Sequence, residues 1–248
     1  VADAFRTELG ADIGLANGGG IRSDVAPGEV TYGDAIAVLP FANALCMVEA
    51  SGQAIVDALE MGVRNLPEPS GSFLQTSGLS FEVRTDIPSP VKLDAQGAFA
   101  GADGARRVQN VQVNGQPIDL DATYTVASIT YLLRDGGDGF SMFEDANVLV
   151  AEQGLDYEAL ISFIQNDLGG VVAADSAYAN ENGAGRIAVK GGPSPVPGPS
   201  PAPVPGNAHA LVPTGDSTAT TAVLCAAALS ALACACGSGL AARRRERV

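Results

Sequence analysis

From Gly191 to Gly206 the chain reads GGPSPVPGPSPAPVPG, and a segment of that composition cannot pack a core. Proline at such density imposes extended polyproline II, a semi-rigid spacer with its backbone solvated. The spacer divides the chain into a folded part at about 1–189, a linker at 190–207 and a tail at 208–248. The overall hydrophobic fraction, 46%, is inflated by the tail, which is almost all Ala, Leu, Val and Cys from Ala219 to Cys236. Aromatics are 5% and tryptophan is absent, so the folded part must rely on aliphatic packing. The net charge is −14, and four of the fourteen basic residues (Arg243, Arg244, Arg245, Arg247) lie in the tail. A field of that sign repels nucleic acid, so none is expected as a partner. An anionic ligand would need a local arginine or backbone N–H groups. Of four cysteines only Cys46 lies ahead of the spacer, which rules out a disulfide within the folded part. The one histidine, His209, lies beyond the spacer, and no paired metal-ligand spacing is present.

Ahead of the spacer the patterns are mixed. Val1 to Leu9 reads as a helix with Ala2, Phe5 and Leu9 on one face. The chain opens on this helix without a methionine, and we read the start as a cut inside a longer protein. Thr31 with Asp34 forms a capping-box variant that opens a helix through Leu39. Ser51 caps a second, with Ile55, Leu59, Val63 and Leu66 inward, and Asp156 a third, stopped by Gly169. Alternation predicts strands at Leu79–Val83, Val91–Leu93, Val111–Val113 and Tyr124–Val126. Asn114-Gly115 predicts a hairpin turn between Val113 and Ile118. Helices and strands do not alternate regularly, so the expected class is α+β, a mixed sheet with packed helices.

Three segments ahead of the spacer have the residue types for binding chemistry. Asn17 to Arg22, NGGGIR, follows an apolar run; its glycines allow close backbone approach and Arg22 suits a phosphate or carboxylate. The same glycines would also serve a plain turn. It is neither the dinucleotide-binding fingerprint nor a P-loop, because the third glycine spacing and the Lys-Ser/Thr are missing. In Val38 to Phe41, VLPF, the proline ends the helix and leaves Phe41 on a loop, either as core or as a stacking face. In Tyr131 to Phe140, YLLRDGGDGF, Asp138 is held in a glycine turn, suited to sugar hydroxyls or to its own backbone.

Together these segments resemble the C-terminal domain of the 5'-nucleotidase family, which includes periplasmic UDP-sugar hydrolases. NGGGIR, TYGDAIAVLPFAN (Thr31–Asn43), SGQAIVDALE (Ser51–Glu60), GSFLQTSGLSFEV (Gly71–Val83) and GGDGF occur in the family's order. The resemblance implies a substrate-binding domain acting on AMP-like nucleotides. It assigns Asn17 and Arg22 to nucleotide contacts, Arg22 on the phosphate side. Phe41 and Tyr131 would clamp the base, and Asp138 would hold the ribose hydroxyls. Tyr131 stands where these nucleotidases usually have Phe, and it also suits the related 2',3'-cyclic phosphodiesterase/3'-nucleotidases. Catalysis in the family needs two divalent metal ions in an N-terminal metallophosphatase domain. Its histidine-bearing motifs are absent here, so this chain is expected to bind no cofactor and to be inactive alone. The alternatives are a 2',3'-cyclic phosphodiesterase/3'-nucleotidase or UDP-sugar hydrolase of the same family, or a non-catalytic nucleotide-binding surface module.

The tail resembles a Gram-positive cell-wall sorting signal, with LVPTG (Leu211–Gly215), an apolar stretch at about 219–240 and a basic end. Val212 stands where the usual motif has its proline. The resemblance implies sortase and peptidoglycan as partners and a domain on the cell surface. A simple membrane anchor would give the same sidedness, since the basic cluster stays inside.

Overall fold

A computed structural model of the chain describes residues 1–178, 180 and 184–191. The tail and all of the linker beyond residue 191 therefore fall outside the described residues, and Lys190, read as the first linker residue, closes a strand. Among those residues no helix is long and apolar enough to cross a membrane.

The elements follow in order: α1 (Ala2–Leu9), β1 (Ile13–Asn17), α2 (Tyr32–Val38), β2 (Ala44–Ser51), α3 (Gly52–Val63), β3 (Leu74–Ser77), β4 (Leu79–Arg84), β5 (Val91–Leu93) and β6 (Phe99–Ala102). Then come β7 (Val108–Val113), β8 (Gln116–Pro117), β9 (Thr123–Ile129), α4 (Thr130–Leu133), β10 (Asn147–Leu155), α5 (Asp156–Ser162) and β11 (Ile187–Lys190). Five strands form one sheet in the order β10-β2-β9-β1-β3; four form a second, β11-β4-β7-β8; β5 and β6 make a separate hairpin. Both larger sheets mix parallel and antiparallel pairs, as the α+β reading expects.

Local chemistry explains the predicted elements. Gly10 closes α1 in the left-handed conformation, its N–H on the Arg6 and Thr7 carbonyls. Thr31 Oγ1 accepts from the Asp34 N–H at 3.2 Å, and Asp34 Oδ2 accepts from the Thr31 N–H at 2.7 Å. Ser51 Oγ accepts from the Ala54 N–H. Asn114 and Gly115 both take positive φ, 49° and 78°, which closes the β7–β8 turn.

Two helix readings need correction. The second helix stops at Val63, short of Leu66, because Pro67 disfavours helix at the residue before it. Arg107 meets the carbonyls released there, with Nη1 on Leu66 O at 2.8 Å and Val63 O at 3.3 Å. Asp156 is not a cap but the first helical residue, and it is buried. Its carboxylate accepts from Asn43, while Glu158 reaches back to the Leu155 N–H at 3.1 Å. The third helix continues through a π turn, Phe163–Asp167, to Leu168, and Gly169 follows at φ 65°.

Helix α3 packs against β2 and β3 of the first sheet and β7 of the second. Ile55, Leu59, Met61 and Val63 are buried, and from Ala58 to Val63 the helix is covered on all sides. Glu60, fully buried on the same helix, accepts from the N–H groups of Arg107 and Val108, each at 3.0 Å. Cys46 is buried in β2, and burial pushes its thiol up to about 12, so it stays protonated and unreactive.

The last strand is tied back to the first helix. Arg186 Nη2 donates to Asp3 Oδ2 at 2.7 Å, and Ser77 and Tyr178 hydroxyls bond the same carboxylate. Burial alone would raise the Asp3 pKa, but hydrogen bonds from Arg186 and Ser77 and the Arg186 charge outweigh it and hold the carboxyl below its ordinary value. A depressed carboxylate stabilises the fold above its unfolded pKa of about 3.9 and loses that contribution as pH falls through the folded value. Thermal unfolding midpoints should therefore drop below about pH 4. In Arg186→Gln that acid limb should be shallower; an equally steep limb would remove Asp3 from the account.

Candidate functional site

The first sheet brings five strand ends to one edge. Strands β1 and β9 run parallel, so Asn17 and Ile129 leave side by side. Strand β2 is antiparallel to β9, with Leu45 opposite Ile129, which brings its approach, Phe41 to Asn43, to the same place. The start of β3 and the end of β10 lie there as well, since Leu74 pairs with Asn17 and Leu155 with Ala44.

A cleft of about 270 Å³ opens on this edge, lined by Asn17, Gly19, Gly20, Phe41, Asn43, Ile129, Tyr131 and Asp138. Four of the five residues singled out from sequence thus line one cavity. The fifth, Arg22, is not part of the lining. It is exposed, its Nη1 rests on the Gly19 carbonyl at 3.3 Å, and among the described residues it has no ion-pair partner.

Each aromatic is presented by its local chain. Pro40 follows the end of α2, Ala42 takes φ 51°, and Phe41 between them is 59% exposed. In α4, Leu132 and Leu133 are buried, and their neighbour Tyr131 is 39% exposed on the cleft. The back of the Tyr131 ring is closed by Gly137, where a Cβ would fall 2.4–2.5 Å from three ring carbons. Only glycine leaves room for the ring there.

Two amides of the glycine run are used inside the fold, while Gly19 and Gly20 line the cleft. Gly18 and Gly19 donate to the carbonyls of Phe73 and Gly71, both at 2.8 Å, so neither amide is free for an anion. Gly19 instead lies flush on Gly71, where an added Cβ would be 3.1 Å from the Gly71 Cα.

Asp138 sits at φ 54°, a left-handed geometry that Asp tolerates better than most side chains. Its Oδ2 accepts from Asn17 Nδ2 at 2.9 Å. Its Oδ1 accepts from the Tyr131 hydroxyl at 3.1 Å, and its own N–H donates to that hydroxyl at 3.1 Å. Burial, and then the Asp138 charge, raise the Tyr131 pKa, which keeps the phenol protonated as a donor.

Sequence reasoning missed Asn43, although it closes the LPFAN stretch. Its Nδ2 donates to Asp156 Oδ2 at 3.0 Å, which fixes the amide at the cleft wall. Burial raises the Asp156 pKa against the opposing bonds from Asn43 and Tyr157. Among the described residues no group of three or more His, Cys, Asp or Glu could hold a metal ion.

Comparisons with known proteins give the chain a family and a fold. Residues 1–145, more than half the chain, match the family described as 5'-nucleotidase, C-terminal domain. The chain is 32% identical over 167 residues to a 5'-nucleotidase of Vibrio cholerae, covering 66% of this chain and 26% of that protein. It is 31% identical over 139 residues to a trifunctional nucleotide phosphoesterase of Bacillus subtilis, covering 56% of this chain and 9% of the relative. The chain thus spans about a quarter or less of these relatives' length. The crystal structure of a 5'-nucleotidase precursor from Thermus thermophilus superposes with a TM-score of 0.62 at 31% identity, over 77% of this chain and 34% of that one. An NAD nucleotidase of Haemophilus influenzae shares the fold, with a TM-score of 0.55 at 24% identity. The chain belongs to the 5'-nucleotidase family and carries its C-terminal domain.

Proposed function

We propose that this chain is the substrate-binding part of a cell-surface 5'-nucleotidase that converts extracellular nucleotides to nucleosides and phosphate. The observation that carries the reading is the single cleft that gathers two exposed aromatic rings, Phe41 and Tyr131, with the Asn17–Asp138 pair. Phe41 and Tyr131 hold the base, Asp138 the ribose, and Arg22 at the rim meets the phosphate against a net negative field. Stacking tolerates any base, which favours broad nucleotide use. Hydrolysis itself requires a metallophosphatase domain with two divalent metal ions, carried by another part of the parent protein. The tail then tethers the domain outside the membrane, through a sortase to peptidoglycan.

A second reading within the family, 2',3'-cyclic phosphodiesterase/3'-nucleotidase activity, is favoured by one residue, Tyr131 in place of the usual Phe. Substrate profiling of the full-length parent separates the two.

AMP titrated against the chain, followed by amide chemical shifts, should perturb Asn17, Phe41, Tyr131 and Asp138 at millimolar ligand or below. Phe41→Ala should weaken AMP about tenfold or more, since one stacked face is worth ~1–3 kcal/mol. Silence at all four residues would overturn the reading.

A further inference from the structure

The Asp138 carboxylate is already half engaged in the free chain. Asn17 Nδ2 holds Oδ2 at 2.9 Å and the Tyr131 hydroxyl holds Oδ1 at 3.1 Å. The Asp138 N–H returns to the same hydroxyl at 3.1 Å, so phenol, backbone and carboxylate form a closed ring of hydrogen bonds. That ring fixes the Asp138 side chain relative to its own backbone, in a turn that is left-handed at this residue. An ionised carboxylate has about four lone-pair sites. With two of them taken, one on each oxygen, two remain, again one on each oxygen. A held carboxylate with one open site per oxygen is complementary to two adjacent hydroxyl donors. A freely rotating carboxylate would have to give up its rotational freedom on binding.

We propose that the Tyr131 hydroxyl is a positioning group that sets Asp138 to read a vicinal cis-diol, so that Tyr131 contributes sugar selectivity in addition to its ring face. The inference rests on the nucleotide-binding reading above and adds to it the source of discrimination between ribose and deoxyribose. Phenylalanine at this position would supply the face without the hold. The raised Tyr131 pKa is consistent with this role, because the phenol must stay protonated to donate.

The test uses calorimetric titration of the full chain with AMP, 2'-deoxy-AMP and 3'-deoxy-AMP, for wild type and Tyr131→Phe. Wild type should prefer AMP over both deoxy forms by about tenfold, the worth of one hydrogen bond to a charged group. In Tyr131→Phe the AMP affinity should fall by about that factor while the deoxy forms change little, which collapses the selectivity. Asp138→Asn should lose the same selectivity through the other partner. If Tyr131→Phe keeps the wild-type ratio, the hydroxyl does not position Asp138. Equal losses for all three ligands would mean the hydroxyl acts only by seating the ring, and the proposal falls. Absence of binding by wild type to any of the three would overturn the nucleotide reading itself, which distinguishes that failure from a failure of the diol inference.

Discussion

Glu60→Ala should destabilise the fold by about 3–5 kcal/mol, as unfolding in urea would show. The carboxylate is fully buried, and it is the partner of two backbone N–H groups at the start of β7, on Arg107 and Val108. Alanine leaves both donors buried without acceptors and opens a cavity between α3 and β7. Domains of this kind are stable by only about 5–15 kcal/mol, so the variant would sit near the edge of folding. Glu60→Gln should lose less, because it keeps one acceptor oxygen but turns an amide NH₂ toward the second N–H. A loss under about 1 kcal/mol for Glu60→Ala would show that the helix and the second sheet are held together by other contacts.

Gly137→Ala should weaken nucleotide binding by about tenfold or more, since the Tyr131 face it displaces would be worth ~1–3 kcal/mol on a stacked base. The backbone at Gly137 is not in the left-handed region, so alanine meets no conformational barrier there. The obstacle is the Tyr131 ring, three of whose carbons lie within 2.5 Å of where the new Cβ must go. The ring must leave its present seat to admit that Cβ. The same shift pulls the hydroxyl from Asp138, so on the proposed reading the base face and the sugar contact fail together. Calorimetric titration with AMP measures the effect. Wild-type affinity in a folded Gly137→Ala variant would mean that the ring position is not critical.

What the sequence made legible followed the physics of local signals. The Thr31–Asp34 box, the Ser51 cap, the Asn114-Gly115 turn and the Gly169 stop are each decided by neighbouring residues. Strand β1 gave no alternation because all five of its residues are buried. Strand β10 was hidden by its exposed residues and repeated register shifts against β2. Asp156 has the residue type of a cap, but a partner 113 positions away, Asn43, claimed its carboxylate. The site divides similarly. Asn17, Phe41, Tyr131 and Asp138 were readable from motifs, and they share a cleft because of strand order. The uses of Asn43 and Gly137 could not be read, because each depends on what lies across the cleft or behind a ring.

The link between Asp3 and Arg186 joins the first helix to the start of the last strand. That clasp spans 183 positions of sequence, so loosening the last described strand also releases Asp3, and the two margins of the described fold should fray as one.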